Sequence, residues 1–172
     1  MDDLIKRAKA RDADAFTQLM QSQMQTMYKT ARSVLRDDED VADAVSDTIL
    51  TCWEKLGQLQ EDKYFRTWMT RILVNKCRDI LRKKEYLFYT DKVPEVESRE
   101  RGFENLEWEQ ALAALAEHYR SVVILYYVEG FKTSEIAQIL QIPESTVRTR
   151  LARAREKLAE DYFPQERRRG VL

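Results

Sequence analysis

Ser145, Arg148, Thr149 and Arg153 recur on one side of the segment that opens at Glu144, while Val147, Leu151, Ala154 and Leu158 recur on the other. At about 100° of rotation per residue, that split describes a helix with one apolar face and one face of hydroxyls and forked cations. The chemistry open to such a face is hydrogen bonding to DNA: arginine pairs with base edges or grips phosphate, and short hydroxyls reach bases or sugars. Thr133 to Leu140 precedes it, a short amphipathic stretch with Ile136, Ala137, Ile139 and Leu140 as its apolar side. Pro143 fits the break between them, because proline disfavours helix in the residue before it. The pair reads as a helix-turn-helix, or as a core hairpin whose basic face is merely solvated.

Charge is segregated along the preceding chain. From Asp37 to Glu54 the ionisable residues are Asp37, Asp38, Glu39, Asp40, Asp43, Asp47 and Glu54; from Lys63 to Lys84 they are Lys63, Arg66, Arg71, Lys76, Arg78, Arg82, Lys83 and Lys84, opposed by Asp79. The net charge of -1 hides this separation, which implies different partners for the two blocks. The acidic block has helical period, with Val41, Val45, Thr48, Ile49, Cys52 and Leu56 inward and Asp43, Asp47, Leu50 and Glu54 outward. A leucine framed by carboxylates is either a contact surface for a basic partner or an ordinary solvated face.

The basic block turns Phe65, Trp68, Met69, Ile72, Leu73 and Ile80 inward and lines up Arg71, Asn75, Arg78 and Arg82 outside. Cations at that spacing can follow phosphates, and Asn75 can bond a base or sugar edge. Before it runs the polar loop from Gly57, with Gln58, Gln60 and Lys63, which ends in Tyr64 and Phe65. Such loops can hold an unstacked base against a ring, worth roughly 1 to 3 kcal/mol per base. Phe65 and Trp68 have the period of core residues, and Tyr64 is the freer ring.

The elements that position these residues must be helices. Four glycines and three prolines in 172 residues leave little punctuation for strands, and 44% apolar with 34% charged residues describes a soluble globular chain. No run of about 18 apolar residues exists and the N-terminus lacks an apolar signal core, so a cytoplasmic protein without membrane insertion is expected. Cys52 on an apolar face, Cys77 at the edge of one, and His118 in the charged run Glu117 to Arg120 give no zinc spacing. No glycine-rich phosphate loop, nucleophile elbow or clustered ligand set appears, so no enzymatic role, cofactor or metal is expected.

Thr90 to Gly102 is polar, net acidic and without apolar period, and reads as a linker. Apolar period returns through Leu106, Leu112, Leu115, Val122, Val123 and Leu125, with Gly130 as a helix stop. The expected organisation is a first domain over residues 1–89, a flexible linker over 90–104 and a helix-turn-helix domain over 105–172. The tail from Glu166 to Gly170 is expected to fray.

In order, these features resemble the small two-domain extracytoplasmic-function sigma factors of bacterial RNA polymerase. Asp12 to Leu19 looks like the family's opening helix, and Val41 to Trp53 is similar to its core-polymerase-binding helix. Phe65 to Ile72, with Asn75, Asp79 and Arg82, looks like its promoter-melting segment. Tyr126 to Phe131, Glu135 to Ala137 and Thr146 to Ala154 are similar to the domain that reads the minus-thirty-five element. Two positions depart: Arg11 stands where members often have glycine, and the loop lacks the arginine-glycine step common before the phenylalanine.

The resemblance implies that Asp43, Asp47, Leu50 and Glu54 dock on core RNA polymerase. It implies that Gln58, Gln60, Lys63 and Tyr64 capture an unpaired non-template base of the minus-ten element, while Arg71, Asn75, Arg78 and Arg82 hold the strand. Ser145, Thr146, Arg148, Thr149 and Arg153 would read double-stranded promoter DNA. Many members are held inactive by an anti-sigma factor, which is implied here as well. The competing readings are a stand-alone helix-turn-helix repressor, which leaves the acidic stripe without a purpose, and a protein-binding helical adaptor, which leaves the basic track idle.

Overall fold

The computed structural model of the protein describes residues 1–90 and 106–161, and every regular element among them is helical. One unit holds α1 (Asp2–Lys9), α2 (Ala13–Val34), α3 (Asp38–Lys55) and α4 (Phe65–Thr90). The other holds α5 (Leu106–Ala114), α6 (Glu117–Val123), α7 (Thr133–Leu140) as far as Ala137, and α8 (Glu144–Asp161). The all-helical class follows as expected. The expected linker lies outside the described residues except for Thr90, and the tail from Glu166 lies wholly outside them.

Local signals set the helix starts in the first unit. The Asp12 carboxylate accepts the Ala15 N–H at 3.0 Å to begin α2, and Asp37 accepts the Glu39 N–H at 2.8 Å to begin α3. Asp38, Glu39 and Asp40 in the first turn of α3 suit the positive end of its dipole. α2, α3 and α4 pack pairwise around Leu19, Met27, Val41, Ala44, Val45, Cys52, Phe65, Met69 and Leu73, and Ile5 brings α1 onto the same core. Ile49, Trp68, Ile72 and Ile80 sit half-buried at its margin.

Two expectations are corrected here. Cys77 is not at an edge but fully buried in this core, where the pitch of α4 carries it one turn beyond Leu73. The acidic and basic blocks also touch within the unit, where Lys84 on α4 pairs with Asp40 on α3 at 2.5 Å. Helices that pack side by side bring the two charges together although 44 residues separate them. Asn75 and Arg78, expected on the outer side of α4 with Arg71 and Arg82, are half-buried while the other two are exposed.

The corner between α1 and α2 explains a departure noted in the sequence. Arg11 has φ 67°, the left-handed region that glycine adopts without strain. Its N–H donates to the Ala8 carbonyl at 3.0 Å and the Asp12 N–H donates to the Arg7 carbonyl at 3.1 Å, the two bonds that close a helix end in this way.

In the second unit α6 packs on α8 around Ala111, Leu112, Leu115, Val123, Ile124, Ala154 and Leu158. Arg120, at the end of the charged run from Glu117, is buried and donates to the Leu115 carbonyl at 3.2 Å, meeting a carbonyl left over where α5 ends. After α6 the chain widens into a π turn from Ile124 to Val128, with the Glu129 N–H on the Ile124 carbonyl at 2.9 Å, and Gly130 at φ 70° ends it. Gln141 at φ 56° ends α7. The Pro143 carbonyl then accepts the Thr146 and Val147 N–H groups at 3.0 and 3.2 Å and starts α8. Thr133–Leu140, a short turn and Glu144–Asp161 are thus a helix-turn-helix.

Candidate nucleic-acid interface

α8 separates its two faces as its period requires. Val147, Leu151, Ala154 and Leu158 are buried, while Ser145, Arg148, Thr149 and Arg153 are exposed and Thr146 is half-buried. The Thr149 hydroxyl donates to the Ser145 carbonyl at 2.9 Å. Arg148 is not idle: its Nη2 donates to Glu144 Oε1 at 2.7 Å, and the same oxygen accepts the Thr133 hydroxyl at 2.6 Å. Those two bonds, Thr133 first and Arg148 second, hold the Glu144 carboxyl below its ordinary range. Glu144 therefore fastens the N-terminus of α7 to the N-terminus of α8 and orients the guanidinium one turn on. Sequence reading missed Glu144, although a carboxylate four residues before an arginine is a recognisable helical pair.

A cleft beside this face is lined by Ser145, Thr146, Thr149, Arg150 and Arg153 from α8 and by His118 and Tyr119 from α6. The His118 and Tyr119 rings lie 4.1 Å apart. His118 is exposed and borders the same groove as the hydroxyls and cations of α8.

In the first unit the loop between α3 and α4 is made of two single 3₁₀ turns, Leu56–Gln58 and Asp62–Tyr64. Gln58, Gln60, Lys63 and Tyr64 are exposed, and Leu59 is buried as the loop's anchor in the core. Tyr64 is 46% exposed while Phe65 is buried, the division expected from their period. Lys63 bonds Glu61 at 2.6 Å, which raises the ammonium above its ordinary range, and its Nζ lies 4.8 Å from the Tyr64 ring centroid. On α4, Arg82 is paired to Asp79 one turn back at 2.5 Å. Lys9 reaches this loop from α1, with its Nζ 2.6 Å from the Leu59 carbonyl and 2.5 Å from Asp62 Oδ1. Nothing in the local sequence pointed to Lys9, since its partners lie about fifty residues away.

The outer stripe of α3 emerges as its period predicts. Asp43, Asp47 and Glu54 are exposed around Leu50, which is 58% exposed and among the most exposed large apolar side chains described. A carboxylate frame around an apolar centre can steer a basic surface and then desolvate against it.

Comparison with known proteins accounts for both units. The family model for Sigma-70 region 2 matches residues 19–86, and that for Sigma-70, region 4 matches residues 105–158. The chain is 30% identical to the ECF RNA polymerase sigma factor SigM of Mycobacterium tuberculosis, with 87% of this chain and 78% of that one covered. It is 34% identical to the RNA polymerase sigma factor NccH of Alcaligenes xylosoxydans xylosoxydans, with 90% of each covered. Among solved structures it resembles CnrH in complex with the cytosolic domain of CnrY, at 28% identity and a TM-score of 0.69 over 92% of this chain and 94% of that one. Both sigma regions in one chain exclude the stand-alone repressor. The chain belongs to the extracytoplasmic-function sigma factors, which bind core RNA polymerase and direct it to promoters.

Proposed function

We propose that this sigma factor divides its work among three faces. Asp43, Asp47, Leu50 and Glu54 on α3 dock on core RNA polymerase. Gln58, Gln60, Lys63 and Tyr64 capture an unstacked base of the non-template strand at the minus-ten element, and Arg71, Asn75, Arg78 and Arg82 hold the strand beside it. Ser145, Thr146, Arg148, Thr149 and Arg153 read the minus-thirty-five duplex from the major groove. The working domains are residues 1–89 and 105–172, with 90–104 as the tether. The observation that carries the reading is Leu50, exposed at 58% inside a frame of exposed carboxylates, because a chain that only bound DNA has no use for that face.

Promoter opening needs no chemical step from this chain. Contacts made only with the unpaired strand draw the duplex toward its opened form by their differential affinity. Polymerase performs the synthesis, and the protein acts in the cytoplasm without a cofactor. The relative CnrH, solved with the cytosolic domain of CnrY, supports an anti-sigma partner here as well.

Run-off transcription by sigma-free core polymerase on fragmented genomic DNA tests the reading. New starts that share two spaced elements are expected only when the chain is present. Core binding without starts would separate the docking face from the DNA faces, and absence of both would overturn the division of labour.

A further inference from the structure

Lys9 belongs to α1, which lies outside the matched sigma region at residues 19–86. Its ammonium nevertheless bonds both the Leu59 carbonyl at 2.6 Å and Asp62 Oδ1 at 2.5 Å. These acceptors flank Gln60 and Glu61, the exposed middle of the loop. The pair is partly shielded, with side-chain exposures of 24% for Lys9 and 21% for Asp62. Charge-assisted bonds in such a site are shorter and stronger than those in open water. α1 also packs against both 3₁₀ turns, so the bond comes from a fixed base rather than from a swinging chain end.

We propose that Lys9 is a positioning residue for base capture: it ties the two halves of the loop so that Gln60 and Tyr64 are presented before the strand arrives. The inference rests on the reading of this loop given above. A loop ordered in advance gives up less freedom on binding, which appears as tighter and more selective capture. The first helix thereby acts on strand recognition without touching the strand.

The test uses holoenzyme reconstituted with the full chain, bound to a randomised pool of short single DNA strands that is recovered and sequenced. Hydrogen exchange of the loop amides is read on the same samples. Lys9→Met keeps the aliphatic stem and removes the donor, and Lys9→Arg keeps a cation. Lys9→Met is expected to lower strand affinity on the order of tenfold, to flatten the base preference at one position and to speed exchange at Gln60 to Lys63, with core affinity unchanged. Lys9→Arg is expected to restore most of each effect.

Asp62→Asn weakens the same tie from the loop side and gives the answer if Lys9→Met fails to fold. Unchanged exchange, affinity and base preference in the folded variant would overturn the proposal. Gln60→Ala and Tyr64→Ala separate the two levels. If they lose strand binding while Lys9→Met does not, Lys9 alone is refuted; if none of them does, the base-capture reading is refuted.

Discussion

Arg148 Nη2 lies 2.7 Å from Glu144 Oε1, one turn back on α8. A carboxylate at the start of a recognition helix repels phosphate, yet it also holds the guanidinium in one orientation and cancels its charge until a better acceptor arrives. Glu144→Gln keeps an acceptor and removes the charge. Binding to random-sequence duplex is expected to tighten, and the slope of log K against log salt to steepen by about 1, the increment for one uncancelled cation. Arg148→Ala is expected to weaken recognition of the upstream element by about 1 to 3 kcal/mol. Titration of labelled duplex at several salt concentrations reads both; a slope unmoved by Glu144→Gln refutes the cancellation, and an unchanged sequence preference removes Arg148 from the reading set.

The α3 stripe makes a different prediction. Asp47 is exposed beside Leu50, so reversing its charge alters the surface without disturbing the core on the opposite side of the helix. Asp47→Arg is expected to weaken association with core polymerase about tenfold or more, with slower association as its main component, and to leave DNA binding by the free chain unchanged. Surface-immobilised core polymerase and stopped-flow mixing measure the two rates. Wild-type association in the variant would rule out this docking face.

Arg11 holds a left-handed backbone at φ 67° and offsets the strain with its side chain. Its Nη1 donates to the Trp53 carbonyl at 2.8 Å, and its guanidinium lies 5.2 Å from the Trp53 ring centroid. Arg11→Ala keeps the strain and loses both contacts, which should cost about 1 kcal/mol. Arg11→Gly loses the same contacts but removes the strain, and should be more stable than the alanine variant by about 1 kcal/mol. Urea unfolding distinguishes them, and equal stabilities would show that this corner carries no backbone strain.

The same residues mark how far the sequence could be read. The faces of α3 and α8 were legible because apolar residues at helical period and clean charge segregation each demand one orientation, and Val147, Leu151 and Ala154 opposite Arg148 and Thr149 left little choice, whereas on α4 the expected outer stripe is split, with Asn75 and Arg78 half-buried. The unusual backbone at Arg11 was visible only as a departure from the family pattern that the sequence resembles, since arginine itself signals no such conformation. Gln141 ends α7 in the same left-handed region with only Pro143 to hint at it. Arg120 and Lys9 could not be placed at all. Each depends on packing between elements: Arg120 turns inward to carbonyls at the end of α5, and Lys9 reaches partners on a distant loop.

Asp12 joins a helix cap to an ion pair and so couples stability to pH. Its carboxylate accepts the Ala15 N–H at 3.0 Å and the Arg7 guanidinium at 2.7 Å, and these bonds, the Ala15 one foremost, hold it below its ordinary value of 3.8. A carboxyl depressed on folding contributes stability that is fully present above the unfolded value and is lost as pH falls through the folded one. Asp12→Asn retains an oxygen for the cap but neither titrates nor pairs with Arg7. The variant should therefore melt below the wild type at neutral pH, and the gap should close as pH drops from 3.8 through the lower folded value. Melting curves at stepped pH measure the difference between the two proteins, in which the other carboxyls cancel. A gap that stays constant into acid would assign the loss to cap geometry and not to the carboxylate charge.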